Sequence, residues 1–260
     1  MIKPRDALGK LKAYVPGKTP KKPGVIKLAS NENPFGPSPK ALEAIKKESA
    51  RLQTYPDQKS IQLREALAKK YGLTKEHIIV GNGSDEIMQL LAEAFLNAGE
   101  EVVISKNTFS IYEMVAKIFD GKAVFMDLKD YKINLEAAAQ AITDKTKLIF
   151  LCNPLNPCGT YFPEAELKGF LSKVPERVLV VIDEAYAEFV EAKDFPQSID
   201  LVKDRSNVVV LRTFSKFYGL AGLRAGYALA NPKLIISLFS EDALQCKPPG
   251  PGRSPGRPRR

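Results

Sequence analysis

From about residue 38 to about residue 230, short continuous apolar runs alternate with longer segments whose apolar residues recur at helical spacing. Ser38 can cap, and Pro39 can occupy, the first turn of a helix running to about Leu52. A second helix fits residues 60–71, with Ile61, Leu63, Leu67 and Ala68 inward and Gly72 as its stop. HIIV at 77–80 reads as a strand. Beyond Ser84, the residues Ile87, Leu90, Leu91, Ala94 and Phe95 fall at the i, i+3, i+4, i+7 and i+8 positions of a buried helix face.

The alternation continues as strand EVVIS, a helix around Ile111 to Phe119, strand KAVFMDL, a helix after Asn134, strand KLIFLCN, a helix from Pro163, strand VLVVID and strand NVVVLRTFS. Runs that are apolar throughout, rather than at every second position, belong to strands covered on both faces. The chain therefore predicts a three-layer α/β/α fold around a mainly parallel sheet. The expected organisation is an N-terminal arm over 1–37, a large domain over 38–232, and the start of a helix over 233–245 leading towards a small domain that is largely missing. Residues 246–260 follow as a tail. In such sheets ligands bind outside the carboxyl ends of the strands, so the residues just after each strand carry the search for chemistry.

Composition narrows the possibilities. The hydrophobic share of 44% can bury a sizeable core, which excludes disorder throughout. No apolar run is long enough for a membrane-spanning helix, and MIKPRDALGK lacks the apolar core of a signal peptide, so a cytoplasmic location is expected. Cys152, Cys158 and Cys246 show no C-x-x-C spacing, which favours reduced thiols. His77 is the only histidine and reads as a structural residue at a strand entrance, so no metal site is expected. The net charge of +9 invites a nucleic-acid reading until it is located. The tail CKPPGPGRSPGRPRR holds five basic and no acidic residues, leaving 34 Lys and Arg against 30 Asp and Glu elsewhere. Its Pro and Gly content marks it as disordered. Neither nucleic acid nor membrane is an expected partner.

Four strand ends carry unusual residues. Gly81-Asn82-Gly83-Ser84-Asp85-Glu86 turns into a helix whose exposed N–H groups suit a phosphate, although, taken alone, a structural turn is the better account of it. Cys152-Asn153-Pro154-Leu155-Asn156-Pro157 presents the Asn156 amide from a proline-rich turn. Asp183 ends a buried strand, where a carboxylate is costly unless it meets a cation or donor, and Tyr186 follows it. The last strand runs into Thr213-Phe214-Ser215-Lys216, with Arg224 beyond a glycine-containing turn.

Together these groups match one cofactor. Gly83 to Asp85, Thr213, Ser215 and Arg224 suit a phosphate. Asp183 can keep a pyridine nitrogen protonated, Asn156 and Tyr186 can donate to a phenolic oxygen, and Lys216 can bond an aldehyde through its amine. Pyridoxal 5′-phosphate has each of these features, whereas a nicotinamide nucleotide leaves Asp183 and Lys216 without roles.

The ordered motifs NENPFGP (31–37), YPD (55–57), GNGSDE (81–86), TFSIY (108–112), NPLNPCG (153–159), DEAY (183–186) and TFSKFYGLAGLR (213–224) resemble the fold-type-I pyridoxal-phosphate aminotransferases. Within them the chain is most similar to the histidinol-phosphate aminotransferases. The resemblance implies that Lys216 carries the cofactor and serves as the base of the proton shift, that Asp183 pairs with the ring nitrogen, and that Phe109 stacks on the ring. It also implies Ser84, Asp85, Ser215 and Arg224 around the phosphate, and Tyr55 reaching the phosphate of a second subunit in a homodimer. Tyr14, Asn31 and Asn33 are implied near the substrate, and the reaction is amino transfer between histidinol phosphate and 2-oxoglutarate in histidine biosynthesis. The family's substrate-carboxylate arginine, carried by its small domain, has no counterpart after residue 238, so impaired activity is expected. A threonine-phosphate decarboxylase type, an aromatic aminotransferase and a catalytically silent cofactor-binding protein stay open as alternatives.

Overall fold

The computed structural model describes residues 24–239, together with 2, 3, 9 and 17. Tyr14 and the basic tail at 246–260 lie outside the described residues. The strands are β1 (Ile78–Asn82), β2 (Glu101–Ser105), β3 (Lys122–Met126), β4 (Thr146–Cys152), β5 (Leu179–Asp183), β6 (Val208–Thr213) and β7 (Ala225–Ala230). They form one seven-stranded sheet in the order β1-β7-β6-β5-β4-β2-β3. Strands β3, β2, β4, β5 and β6 pair in parallel, and β7 runs antiparallel to both β6 and β1. The sheet is mainly parallel, as the continuous apolar runs predict.

The central strands are covered on both faces: Leu148, Ile149, Val180, Val181, Ile182, Val209 and Val210 are fully buried. At about 25 cal/mol per Å² of apolar surface removed from water, this layer supplies much of the folding free energy. KAVFMDL departs from the pattern. It forms the edge strand β3, where pairing on one side alone leaves Phe125 exposed. Among the described residues no helix is long and apolar enough to cross a membrane.

The helices follow the local signals with three corrections. Ser38 caps the first helix by accepting from the Ala41 amide, but the helix spans Pro39–Ser49 and stops short of Leu52. There the backbone tightens into i→i+3 bonds, such as Arg51 N–H to Glu48 O at 2.9 Å. In the Ile61–Tyr71 helix, ended by left-handed Gly72, Leu67 and Ala68 are buried and Leu63 packs partly against the core. Ile61, in the first turn, is exposed. Arg64 takes an inward place instead, its guanidinium donating to the Lys75 carbonyl at 2.8 and 3.2 Å. The Ser84–Phe95 helix buries Ser84, Ile87, Met88, Leu91 and Ala92. The spacing is the expected one, but the face starts at Ser84, leaving Ala94 exposed and Leu90 and Phe95 half-buried. That rotation follows from seating the helix N-terminus on the sheet: a Cβ at Gly226 of β7 would lie 2.5 Å from the Ser84 nitrogen.

Two elements have no strong sequence signal: strand β7 and the Ser198–Asp204 helix, which packs against β6 and β7. The β7 sequence AGYALA has few of the β-branched residues that mark its neighbours. Pro232–Phe239 forms a helix that buries Leu234, Ile235 and Leu238 against β1 and the Ser84–Phe95 helix.

Candidate active site

Strand register gathers the unusual residues on one rim. Cys152 at the end of β4 lies opposite Asp183 at the end of β5, and Asp183 opposite Leu211 of β6. Thr213 ends β6 opposite Gly226, and Asn82 ends β1 opposite Ala225. Because β7 runs the other way, it starts on this rim, and its start places Arg224 beside the carboxyl ends of its neighbours.

Asp183 is buried at the rim's centre, 3% exposed. Its Oδ2 accepts from the Tyr112 hydroxyl at 2.6 Å and its Oδ1 from the Ala185 amide at 3.2 Å. Burial pushes its carboxyl up to about 6, against the opposing effect of those two donors. Tyr112 lies face to face on Phe150, with ring centroids 4.7 Å apart, and meets Phe109 edge-on at 5.7 Å. Phe109 thereby packs against the ring whose hydroxyl bonds Asp183.

Lys216 is half-buried, and its Nζ donates to the Ser30 carbonyl at 2.7 Å and lies 5.7 Å from the centre of the Tyr186 ring. Burial lowers its pKa; Asp85, Asp183 and Glu32 oppose the shift and Arg224 adds to it. The arm residue Asn31 donates from Nδ2 to the Tyr186 hydroxyl at 2.9 Å. Tyr186 and Asn156 line a cavity of about 420 Å³ together with Asn31, Tyr161 and Phe189. A larger hollow of about 510 Å³, lined by Lys129, Asn134 and Glu136 among others, contains none of the rim residues.

The other pole is built around a helix N-terminus. Gly83 precedes the Ser84–Phe95 helix at φ +81°, and no side chain caps that end. Arg224, itself left-handed at φ 51°, lies over it, with Nη2 3.3 Å from Asp85 Oδ2. The φ of +81° favours glycine at 83, and a Cβ there would fall 2.6 Å from that Nη2 and push the guanidinium aside. Burial raises the Asp85 pKa, and Arg224 and Lys216 oppose it. Ser215 is buried next to Thr213, whose hydroxyl donates to Ser215 Oγ at 3.0 Å and accepts from the Ser215 amide at 3.1 Å.

Two of the residues singled out in the sequence stand apart. Tyr55 is 98% exposed and the chain's own fold does not bring it to the rim. Asn33 uses both ends of its amide within the chain, donating to the Phe217 carbonyl at 2.8 Å and accepting from the Phe35 amide at 3.0 Å. It pins the arm to the segment after Lys216. Sequence reasoning also passed over Tyr112, although it lies inside a motif, and the ion pairs of Arg212 with Glu184 at 2.6 Å and Glu188 at 3.1 Å. The available signal for the latter was an arginine near the end of an otherwise apolar strand. Burial opposes the charge of Arg212, and the two carboxylates more than offset it, holding its pKa above the ordinary range.

The family model for aminotransferase class I and II matches residues 23–241. The chain is 48% identical to the histidinol-phosphate aminotransferase of Moorella thermoacetica, over 90% of this chain and 63% of that protein. It is 45% identical to the aromatic amino acid aminotransferase of Mycolicibacterium smegmatis, over 91% of this chain and 65% of that protein. The chain thus spans less than two thirds of the length of these relatives. The crystal structure of histidinol-phosphate aminotransferase from Sinorhizobium meliloti in complex with pyridoxal-5′-phosphate superposes with a TM-score of 0.75 at 31% identity, covering 83% of this chain and 64% of that one. A matching family model over most of the sequence, and the same sheet beneath it, establish that this chain belongs to the class I and II aminotransferase family.

Proposed function

We propose that this chain binds pyridoxal 5′-phosphate on the described rim and takes part in moving an amino group between histidinol phosphate and 2-oxoglutarate. The observation that carries this reading is the convergence on one rim of a buried carboxylate, a partly desolvated amine and an arginine over an uncapped helix N-terminus. The residues fit the group. No side chain caps the Ser84–Phe95 helix, and the Arg224 guanidinium comes within 2.6 Å of where a Cβ of Gly83 would stand, so unfilled amide donors and a cation face the same point, as an anion requires.

When bound, the cofactor supplies an electron sink for charge developing at the substrate's reacting carbon. Arg224, Ser215 and the first amides of the Ser84–Phe95 helix would hold its phosphate, with Asp85 orienting Arg224 and Thr213 orienting Ser215. Asp183 would hold a proton on the ring nitrogen, Phe109 would lie against the ring, and Asn156 and Tyr186 would donate to the phenolic oxygen. Lys216 would bond the aldehyde carbon. The burial that lowers its pKa favours the neutral amine, which can both attack carbon and carry a proton to and from the substrate's α-carbon. Asn31 would reach the substrate side of the same cavity, and Asn33 would keep the arm closed over it. Exposed Tyr55 is assigned to the phosphate pole of a second copy in a homodimer.

The histidinol-phosphate reading draws on relatives carrying that name at 42–48% identity. The aromatic amino acid aminotransferase at 45% supplies the competing substrate class. Titration with pyridoxal phosphate, followed by absorbance, tests the cofactor; a saturable imine band that Lys216→Ala abolishes is expected. Histidinol phosphate with 2-oxoglutarate should then turn over faster than phenylalanine with the same acceptor. The reverse order assigns the aromatic substrate, and binding without turnover assigns a silent cofactor-binding protein.

A further inference from the structure

We infer that Tyr112 is a positioning residue for Asp183, fixing the direction of its carboxylate and keeping it ionised for the ring nitrogen. The inference rests on the reading above for the identity of that partner, while the contact itself belongs to the fold.

Tyr112 is fully buried in the Ile111–Ile118 helix. Its ring has little freedom, stacked within 6° of parallel on Phe150 and edge-on to Phe109. A phenylalanine would fill the same space. What tyrosine adds is a hydroxyl, and burying one is unfavourable unless it is bonded. Here it donates to Asp183 Oδ2 at 2.6 Å, while the Ala185 amide donates to Oδ1 at 3.2 Å. One donor on each oxygen sets the plane of the carboxylate, and the bond to an ionised acceptor is of the stronger, charge-assisted kind.

The groups facing Asp183 make Tyr112 the steady one. Burial holds the Tyr112 hydroxyl well above its ordinary pKa, so it keeps its proton throughout the working range. The Cys152 thiol at the end of β4 is likewise neutral, pushed up to about 12 by burial and by Asp183. Asp85, from the Ser84–Phe95 helix, disfavours the Asp183 charge, and Lys216, from the segment after β6, favours it. Lys216 is also the amine assigned to the aldehyde. Its help to Asp183 therefore changes when that bond forms, whereas the hydroxyl of Tyr112 does not change. The same helix also orients Phe109, so the ring's assigned face and its assigned nitrogen partner are set by neighbouring residues packed on each other.

The test is a double-mutant cycle on the full chain without cofactor, reading the thermal midpoint against pH for wild type, Tyr112→Phe, Asp183→Asn and the double variant. With Asp183 present, Tyr112→Phe should raise, by about one pH unit, the pH to which the Asp183-dependent fall in midpoint extends. That is the shift expected on losing one charge-assisted hydrogen bond. In the Asp183→Asn background, where no carboxyl titrates at 183, it should shift no pH feature. A second arm, 3-fluorotyrosine incorporated at position 112, keeps the ring and strengthens the donor, so it should shift the same feature to lower pH. A purely structural tyrosine would lower the midpoint equally in both backgrounds and leave the pH feature in place, and either result overturns the inference. The cofactor-free readout also separates the two ideas: failure of pyridoxal phosphate to bind wild type counts against the proposed function, and the cycle decides Tyr112 by itself.

Discussion

The Asn31 amide donates to the Tyr186 hydroxyl at 2.9 Å, joining residues 155 positions apart and drawing the N-terminal arm across the mouth of the site. Two further arm contacts lie beside it, from Lys216 to the Ser30 carbonyl and from Asn33 to the Phe217 carbonyl. Gly219 has its Cα so close to the arm that a Cβ there would meet the Gly36 carbonyl group at 2.5 Å. If Asn31 positions Tyr186, Asn31→Ala should weaken pyridoxal-phosphate binding by about 1 kcal/mol, roughly fivefold, the net worth of one hydrogen bond. The effect should vanish in a Tyr186→Phe background. Equal losses in both backgrounds, measured by absorbance titration, would assign Asn31 a role independent of Tyr186.

Lys216 is expected to be the residue that becomes labelled when the chain is incubated with pyridoxal phosphate and reduced with borohydride. Peptide mapping should find the pyridoxyl group there and nowhere else. Lys216→Ala should abolish the label and leave the thermal midpoint nearly unchanged, because the side chain is half-buried and its amine holds one bond, to Ser30. A label on another lysine contradicts the assignment.

Asp183 makes stability depend on pH in a defined direction. Its folded pKa of about 6 lies above the ordinary carboxylate value of about 3.9, so between those values the folded state binds more protons than the unfolded state. The stability it contributes is fully present below about pH 4 and is lost as pH rises through 6. About 3 kcal/mol is at stake, at 1.36 kcal/mol per pKa unit. Asp183→Asn should flatten this fall in urea titrations at pH 4 to 7 and should reduce turnover far more than cofactor retention. A stability profile identical to wild type would remove the basis for the assignment.

Gly226→Ala should displace the N-terminus of the Ser84–Phe95 helix. The new Cβ would lie 2.5 Å from the Ser84 nitrogen and 2.6 Å from the Gly83 carbonyl carbon, both backbone atoms that cannot step aside cheaply. Such overpacking typically costs about 1–3 kcal/mol, and the displaced helix N-terminus should also lower pyridoxal-phosphate affinity. Gly222→Ala is the control, since a Cβ there meets nothing within 4 Å. Urea denaturation and cofactor titration of the two variants should separate them.

Arg212→Met should destabilise the fold by about 3–5 kcal/mol, because it leaves the fully buried Glu184 without its cation. Combining it with Glu184→Gln should recover a large part of that loss. Urea midpoints of the single and double variants measure the difference, and additive losses would argue against a coupled pair.

Local pattern was enough for most of the architecture. Strands as apolar as LIFLC and VVVL have no solvent face, so helices must cover both sides, and Ser38 and Gly72 mark helix ends by hydrogen bonding and by φ, which are properties of single residues. Edge position is not such a property: KAVFM and LVVID look alike as strings, and whether a second neighbour pairs with them depends on topology. The strand β7 was hidden for a related reason, since its small residues pack against the Ser84 helix and carry little strand preference of their own.

Residue type and position after a strand determined, from the sequence alone, that Asp183, Lys216 and Arg224 were the chemical groups to watch, because a charge at the end of a buried run needs a partner. Their meeting was decided by tertiary structure. Parallel register aligns the strand ends, reversed β7 returns Arg224 to the same rim, and Gly226 lets β7 approach the Gly83–Ser84 backbone where any Cβ would intervene. The partners of these groups, Tyr112 for Asp183, Ser30 for Lys216 and Glu184 for Arg212, are set by distances between elements remote in the chain. Hydrogen bonds and ion pairs act over a few ångströms of space, and sequence spacing carries no record of them once the chain has crossed the sheet.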